Sequence, residues 1–381
     1  MSEEKLFKEF TFACKQCGAS LVFAPSTQSQ KCEYCGFENK LDTKPKILKE
    51  NDFQTALQSI SSKKSKKLLT NIEAKCPSCA GKFELKSYQR STKCPYCNTP
   101  VITNIDIFYD LHPEGILPFK ITKSEASESF KRWIGSLWFA PNDLEKKVLK
   151  GDIEGIYIPY WTYDANTVSE YSGERGDYYY VTVDRDVVVD GEIRTVRESE
   201  RRVRWSLVSG QVSRFFDDVL VGASKTIPRT IIDSLSPWDL ENIVKFDEKF
   251  LSGYRSQTYQ VALDDGFKIA KQMMDVVIRD DVRADIGGDL QRIDFLKTYY
   301  YNTKFKYVLL PVYVSNFNYN GKNYYFAINA RNGKVTGKRP YSYFKIALLV
   351  FIILTIVAVL LYYDENQVLI KSIIRSYLRE F

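Results

Sequence analysis

All eight cysteines of this chain fall into two clusters with a single spacing, and that spacing limits what the N-terminal quarter can be. The first cluster is Cys14, Cys17, Cys32 and Cys35; the second is Cys76, Cys79, Cys94 and Cys97. Each reads C-x2-C, fourteen residues, C-x2-C, and each cysteine of the second lies 62 residues after its counterpart. Two C-x2-C turns supply four thiolates in pairs, the donor set of a tetrahedral Zn2+, and the spacing is that of a zinc ribbon. A disulfide framework is the competing reading. It suits small secreted domains, whereas this chain has 381 residues and no cysteine outside the clusters. Four cysteines close the coordination shell, so both Zn2+ ions are expected to be structural. They should supply most of the folding free energy of ribbons that bury little apolar surface.

The duplication extends past the ligands. Leu21 and Phe23 correspond to Phe83 and Leu85, Lys31 to Lys93, and Tyr34 to Tyr96. Gly18 and Gly36 follow the second cysteine of their knuckles, where a left-handed residue is often needed. In the second ribbon Ala80 and Asn98 stand there. Asn tolerates that conformation; Ala80 is expected to mark a local departure.

The net charge of +7 is not spread evenly. Residues 1–98 hold 17 Lys+Arg against 10 Asp+Glu, and the rest of the chain holds 37 of each. A basic ribbon module suits nucleic acid or anionic lipid headgroups, and it equally suits a solvated lysine-rich surface. The linker contains Ser61 to Lys67, a basic polar run that reads as a flexible connector or a phosphate contact. Asn51 to Ile60, with Phe53, Leu57 and Ile60, has the spacing of a short helix.

From about residue 105 the pattern is mixed. Thr122 or Ser124 can cap a helix whose apolar face holds Ala126, Phe130, Trp133, Ile134 and Leu137. Residues 153–221 are rich in β-branched and aromatic residues, with Asp190-Gly191 as a type I′ hairpin signal. Asp264 or Asp265 opens a helix carrying Phe267, Ala270, Met274, Val277 and Ile278, which ends before Gly287-Gly288. A last β block runs from about Lys304 to Val335, turning at Asn320-Gly321 and Asn332-Gly333. This order predicts an α+β domain rather than a parallel α/β sheet. The expected organisation is ribbon 1 at 1–41, a basic linker at 42–72, ribbon 2 at 73–104, a central α+β domain at 105–344, a transmembrane helix at 345–363 and an amphipathic tail at 364–381.

Ile346 to Tyr363 is eighteen residues without a charge and without a polar face, which reads as a membrane span rather than a buried core helix. Arg331, Lys334, Lys338, Arg339 and Lys345 precede it with no acid among them. Beyond it, Lys371, Arg375 and Arg379 are diluted by Asp364, Glu365 and Glu380. The positive-inside bias and the reduced thiols that zinc needs both predict a single-pass cell-membrane protein with residues 1–345 in the cytoplasm. In the tail, Ile370, Ile373, Ile374, Tyr377, Leu378 and Phe381 share one helical face opposite the basic residues, which suits a headgroup layer or a partner's span.

Several stretches together are similar to a bacterial family of paired zinc-ribbon proteins, often labelled TFIIB-type zinc-ribbon proteins or primosomal protein N-prime helicases. They are LPFKIT from Leu117, LWFAP from Leu137, GIYIPYWTYDA from Gly155, YSGERG from Tyr171, RWSLVSG from Arg204, FDDVLVGAS from Phe216, SPWDL from Ser236, DIGGDLQRI from Asp285, LLPVYV from Leu309 and NGKVTGKRP from Asn332. With both ribbons they span the chain through about residue 345; Lys15-Gln16, Ala80 and Asn98 are unusual knuckle residues. The resemblance implies structural zinc, a central α+β domain, and membrane-anchored relatives encoded beside PspA-like and SPFH (flotillin-like) proteins of envelope-stress systems. It implies no catalytic residues.

Three functions compete. A membrane-anchored adaptor would dock cytosolic proteins, PspA-like or SPFH-type partners by the resemblance. A nucleic-acid-binding protein would use the basic ribbons. A helicase needs G-x4-G-K-[ST], and none of Gly81-Lys82, Gly321-Lys322, Gly333-Lys334 or Gly337-Lys338 is followed by Ser or Thr. An enzyme would rest on Asp217-Asp218 or on Asp285 and Asp289 beside Gly287-Gly288; turn and cap roles are commoner for Asp in such settings. His112, the single histidine, reads as a loop residue. The expectation is the adaptor, without catalysis.

Overall fold

The computed structural model describes residues 9–62, 71–103, 110–144, 153–189 and 192–377. Ribbon 1 contributes β1 (Glu9–Phe10), β2 (Leu21–Ala24), β3 (Ser29–Cys32) and β4 (Glu38–Lys40). The linker holds β5 (Asn51–Asp52) and α1 (Phe53–Ser62). Ribbon 2 holds β6 (Asn71–Lys75), β7 (Lys82–Lys86), β8 (Gln89–Lys93) and β9 (Pro100–Thr103). After β10 (Gly115–Ile116) and α2 (Lys123–Ser136) come two very long strands, β11 (Glu154–Val189) and β12 (Glu192–Gly222). Then follow α3 (Arg229–Asp233), β13 (Val244–Lys245), β14 (Arg255–Gln257) and α4 (Leu263–Ile286). The chain closes with β15 (Leu290–Tyr319), β16 (Lys322–Asn329), β17 (Val335–Gly337) and α5 (Tyr343–Tyr377). The basic run at 63–67 and the turn at Asp190-Gly191 lie outside the described residues, as does the apolar face expected of the tail.

This is the expected mixed α+β architecture, with one sheet at its centre. β11 and β15 pair antiparallel from Glu154↔Val314 to Gly176↔Leu290, and β12 pairs along β11 from Tyr160↔Gly222 to Val189↔Glu192. β14 extends the same edge of β11, parallel, at Ile156 and Tyr157. Helix α4 lies along these strands and buries Phe267, Ala270, Met274 and Ile278, as its 3.6-residue spacing predicts. Val277 differs: it is 38 % exposed, at the rim of that stripe. Helix α2 starts at a capping box in which the Thr122 hydroxyl accepts from the Glu125 amide and the Glu125 carboxylate accepts from the Thr122 amide.

The core is aromatic because long strands turn every second residue inward. Phe119 stacks on Tyr254 with centroids 4.0 Å apart and meets Tyr157 and Tyr313 edge-on at 4.9 and 5.0 Å. Trp161 is fully buried and donates its indole N–H to the Val261 carbonyl at 3.0 Å. Gly173 sits where the β11–β15 register shifts, and a Cβ there would lie 2.0 Å from the Arg292 carbonyl oxygen. Backbone cannot rotate away as a side chain can. Gly173→Ala is therefore expected to lose about 1–3 kcal/mol, read as a lower urea midpoint at unchanged slope.

The ribbons are joined to this body. β9 pairs with β1 and β8, and β8 pairs with β14, so the β8–β9 half of ribbon 2 lies within the main sheet, while β6 and β7 form a separate pair. Ribbon 1 docks through Phe23, which is 2 % exposed and packs edge-on to Phe250 at 5.2 Å. Its amide donates to the Ser252 carbonyl at 2.9 Å. Ribbons that bury little apolar surface by themselves thus bury it against the central domain.

Beyond Gly176 strand β15 is absent, and β11 and β12 continue as a two-stranded arm over Asp177–Val189 and Glu192–Arg204. At about 3.3 Å per residue its thirteen pairs reach about 40 Å from the sheet. At the other end of the chain, the first 21 residues of α5, Tyr343–Tyr363, are long and apolar enough to cross a membrane and are unburied by the rest of the protein. The helix starts three residues before the uncharged run because Ser342 caps it, accepting from the Ile346 amide on its carbonyl at 3.1 Å and from the Lys345 amide on its hydroxyl at 3.4 Å.

Candidate metal centres and a charged cluster

The structure brings each sequence-predicted tetrad together. In each cluster the four sulfur atoms lie within 4.8 Å of one another. Cys14 and Cys35 are 3.5 Å apart at sulfur, Cys17 and Cys32 3.5 Å, Cys76 and Cys97 3.6 Å, and Cys79 and Cys94 3.7 Å. A tetrahedral ion with Zn–S bonds of about 2.3 Å has an edge of about 3.8 Å, close to these values, whereas a disulfide has sulfurs about 2.05 Å apart. Both clusters can therefore hold a metal ion, and the donor set is that of zinc. One cysteine of each knuckle is buried and the other exposed, so the ions would sit at the ribbon surface with the shell closed by sulfur alone.

Electrostatics favours a cation in both. The Cys35 and Tyr34 amides, against burial, bring the Cys32 thiol down to about 7. The Thr99 hydroxyl and amide bring Cys97 down to about 6. Cys17 goes the other way: although the Ala19 amide favours its thiolate, burial and the neighbouring sulfurs of Cys35, Cys32 and Cys14 push it up to about 12. Despite the Gly81 amide, Cys79 is likewise pushed up to about 12 by Cys97, burial, Cys76 and Cys94. The first thiolate in each tetrad is easy to make and the fourth is hard. A divalent ion at the centre removes that conflict.

All four knuckles close with the same turn. Gly18, Gly36, Ala80 and Asn98 each donate an amide to the carbonyl of the first cysteine of their own knuckle, at 2.9–3.0 Å, and each has φ between 58° and 77°. Ala80 does not depart from the pattern: it adopts the left-handed conformation at φ 58° because the knuckle hydrogen bonds hold it there. A residue with a Cβ gives up about 1–2 kcal/mol in that region. Ala80→Gly is expected to raise the melting temperature and to slow zinc loss to a chelator, with ribbon 1 unaffected.

The acidic candidates do not converge. The Asp285 carboxylate accepts from the Tyr171 hydroxyl at 2.6 Å, and Asp289 accepts from the Tyr178 amide at 2.6 Å, where the arm leaves the sheet. Asp218 lies beside Asp164, twelve residues and about 40 Å of strand away from Gly176. There, β12 places two residues, Asp217 and Asp218, opposite the single Asp164, a bulge that also shifts the β11–β15 register. The bulge turns adjacent acids to one side, so that Asp164, Asp217 and Asp218 can each bring an oxygen within 4.8 Å of the others. Strand alternation hides this, and Asp164 was not legible as a partner. The cation facing them is Lys306, whose ammonium lies 2.7 Å from Asp218, 3.7 Å from Glu50 and 3.8 Å from Asp164. Burial holds the Asp164 carboxyl above its usual range, and Glu50 ties the linker to this point through Lys304 at 2.8 Å. The cluster joins linker, β11, β12 and β15 by charge.

Fold and site define a class: an α+β protein with two four-cysteine clusters bound into one body and a single C-terminal apolar helix. No family model and no solved structure matches the chain. The chain is similar to the uncharacterized protein YdjG of Bacillus subtilis (strain 168), at 23% identity over 346 residues, which is 88% of this chain and 92% of that protein.

Proposed function

We propose that the protein is a membrane-anchored zinc-ribbon adaptor that docks cytosolic partner proteins at the membrane. The observation that carries this reading is the arm. A two-stranded ribbon is at best marginally stable in water, and among the described residues this one leaves both outer edges unpaired along thirteen residue pairs. Cross-strand ion pairs, Arg185–Glu198 and Arg197–Asp184, protect it from edge aggregation. Ile193 and Val196, 74 % and 47 % exposed, stand among these charges as apolar contact points. Anchoring by α5 raises the local concentration of weak contacts, so modest affinity suffices. A PspA-like or SPFH-type partner in an envelope-stress system follows from the family resemblance, as does the cytoplasmic placement of the body from the flanking charges.

The test is affinity capture of the tagged full chain from gently solubilised membranes, with and without nuclease, beside the Ile193→Asp/Val196→Asp variant. Nuclease-resistant recovery of a PspA-like or SPFH-type protein, lost in the variant while the protein stays in the membrane, is the expected result. Equal recovery by the variant removes the arm from the proposal. Partners that vanish with nuclease favour the second reading, nucleic-acid binding. That reading is supported by Tyr34 and Tyr96, which stand 85 % and 68 % exposed at equivalent positions of the basic ribbons, as base-stacking residues do. It requires single-stranded DNA binding that falls steeply with salt.

A further inference from the structure

The base of the apolar helix is tied to a loop of the body. The Ser342 amide donates to the Phe139 carbonyl at 2.7 Å, and the Lys345 ammonium donates to the Ala140 carbonyl at 2.8 Å. Both donors belong to the cap and first turn of α5; both acceptors belong to the loop that follows α2. The same loop and Lys345 line one cleft of about 360 Å3. Loop and helix start are therefore one structural unit.

Length then sets the depth of that unit. The 21 residues of Tyr343–Tyr363 make a helix of about 32 Å, against a hydrocarbon core of about 30 Å. Nothing is left over to lift the body off the bilayer, so whatever is bonded to the first turn lies in the headgroup layer. What the protein places there is Trp138, 75 % exposed, stacked on Phe139 with an interplanar angle of 12°. Tyr341, Tyr343 and Phe344, which lie just before and within the first turn of α5, are also exposed, and the Arg339 guanidinium lies 5.2 Å over the Tyr341 ring. Exposed aromatic rings among basic side chains are the composition of a membrane–water interface, where a ring keeps its apolar face in lipid and its polar atom in water. A water-facing loop has no such use for an exposed indole.

We propose that the Leu137–Pro141 loop is a second membrane contact, with Trp138 seated at the headgroup–acyl boundary of the leaflet where α5 begins. This rests on the reading of α5 as a span. The partner is the lipid surface itself, and the consequence is a body held in one orientation on the bilayer rather than swinging from a tether.

The test uses the full chain reconstituted into vesicles of phosphatidylcholine and phosphatidylglycerol carrying acyl chains brominated near the headgroup. Tyr343–Tyr363 contains no tryptophan, so tryptophan quenching reports the body and not the span. Quenching of the native protein, with most of it lost in Trp138→Phe at unchanged melting temperature, is the expected result. Native protein that resists carbonate extraction yet shows no quenching, or quenching that Trp138→Phe leaves intact, overturns the loop contact and leaves the span standing. Release of the protein by carbonate overturns both.

Discussion

Replacing Cys76 and Cys79 together by serine is expected to lower the stability of the whole body and not of one small ribbon. Structural zinc in isolated finger peptides contributes about 10–16 kcal/mol at neutral pH, more than the total stability of an ordinary domain. Here the second tetrad also positions β8 and β9, which carry the sheet from β1 across to β14 and so to β11. Losing it exposes Val101 and Ile102, both buried, and frees the sheet edge at Ser256 and Gln257. Metal analysis should find one ion per chain in this variant against two in the native protein, and the main thermal transition should fall and broaden. The matching Cys14/Cys17 variant is expected to spare more, because ribbon 1 meets the body at its margin, through the edge strand β1, Phe23 and the Ser252 contacts. A native melting curve with one ion lost would show that ribbon 2 folds around something other than its metal. The same logic makes the arm variant the cleaner probe of partner docking, since cysteine variants disturb the body as well.

Lys306→Met is expected to destabilise the central domain strongly. It keeps the aliphatic length and removes the cation shared by Asp218, Glu50 and the 2 % exposed Asp164. Removing one partner of a buried charge cluster costs about 3 kcal/mol or more, because the other charge is left without compensation. The pH dependence gives the sign. Burial lowers the Lys306 ammonium, but the hydrogen bond and charge of Asp218, with Asp164 and Glu50, outweigh it and raise the group overall. Its stabilisation is complete below the unfolded lysine value of about 10.4 and is lost as pH rises through the higher folded value. Asp164 acts with the same sign in the acidic range: burial raises its folded value, so stability falls as pH climbs from the unfolded aspartate value through the folded one. Without Lys306 that rise is larger. The gap between variant and native melting temperatures should accordingly be widest near neutrality and narrow towards pH ~4, where the unfolded aspartate titrates, and Asp164→Asn should recover part of it. A gap independent of pH would mean that lost packing, and not the ion cluster, is responsible.

Legibility followed the range of the interactions involved. The metal tetrads could be read because C-x2-C turns and their four hydrogen-bonded closures are local chemistry, each set within a few residues of chain. Helix α2 could be read from its cap, and both α2 and α4 from 3.6-residue stripes. Helix α4 nevertheless opens earlier than expected, after Ala262 and without a side-chain cap, which leaves Asp264 and Asp265 in its first turn. The Asn320-Gly321 hairpin could be read from two residues that both take positive φ. The turn at Ala80 was misjudged because propensity predicts what alanine prefers, while the knuckle hydrogen bonds decide what it does. The Asp164 cluster was invisible because a bulge breaks the two-residue alternation by which strand side chains are sorted. Trp138 was read only as part of the stretch LWFAP, since the bond that brings its loop to the base of α5 joins residues 205 positions apart.

The two four-cysteine sites, the mixed α+β composition and the apolar C-terminal helix are all encoded in short-range sequence pattern. Long-range packing alone makes ribbon 2 lend strands to the main sheet and seats ribbon 1 on it through Phe23. It also lets β11 and β12 outrun β15 to form an arm, and bonds the loop after α2 to the base of α5. Each of these is a pairing between segments far apart in the chain. Register and closure there are chosen by which buried surfaces fit, a property of the assembled core that no local window of residues carries.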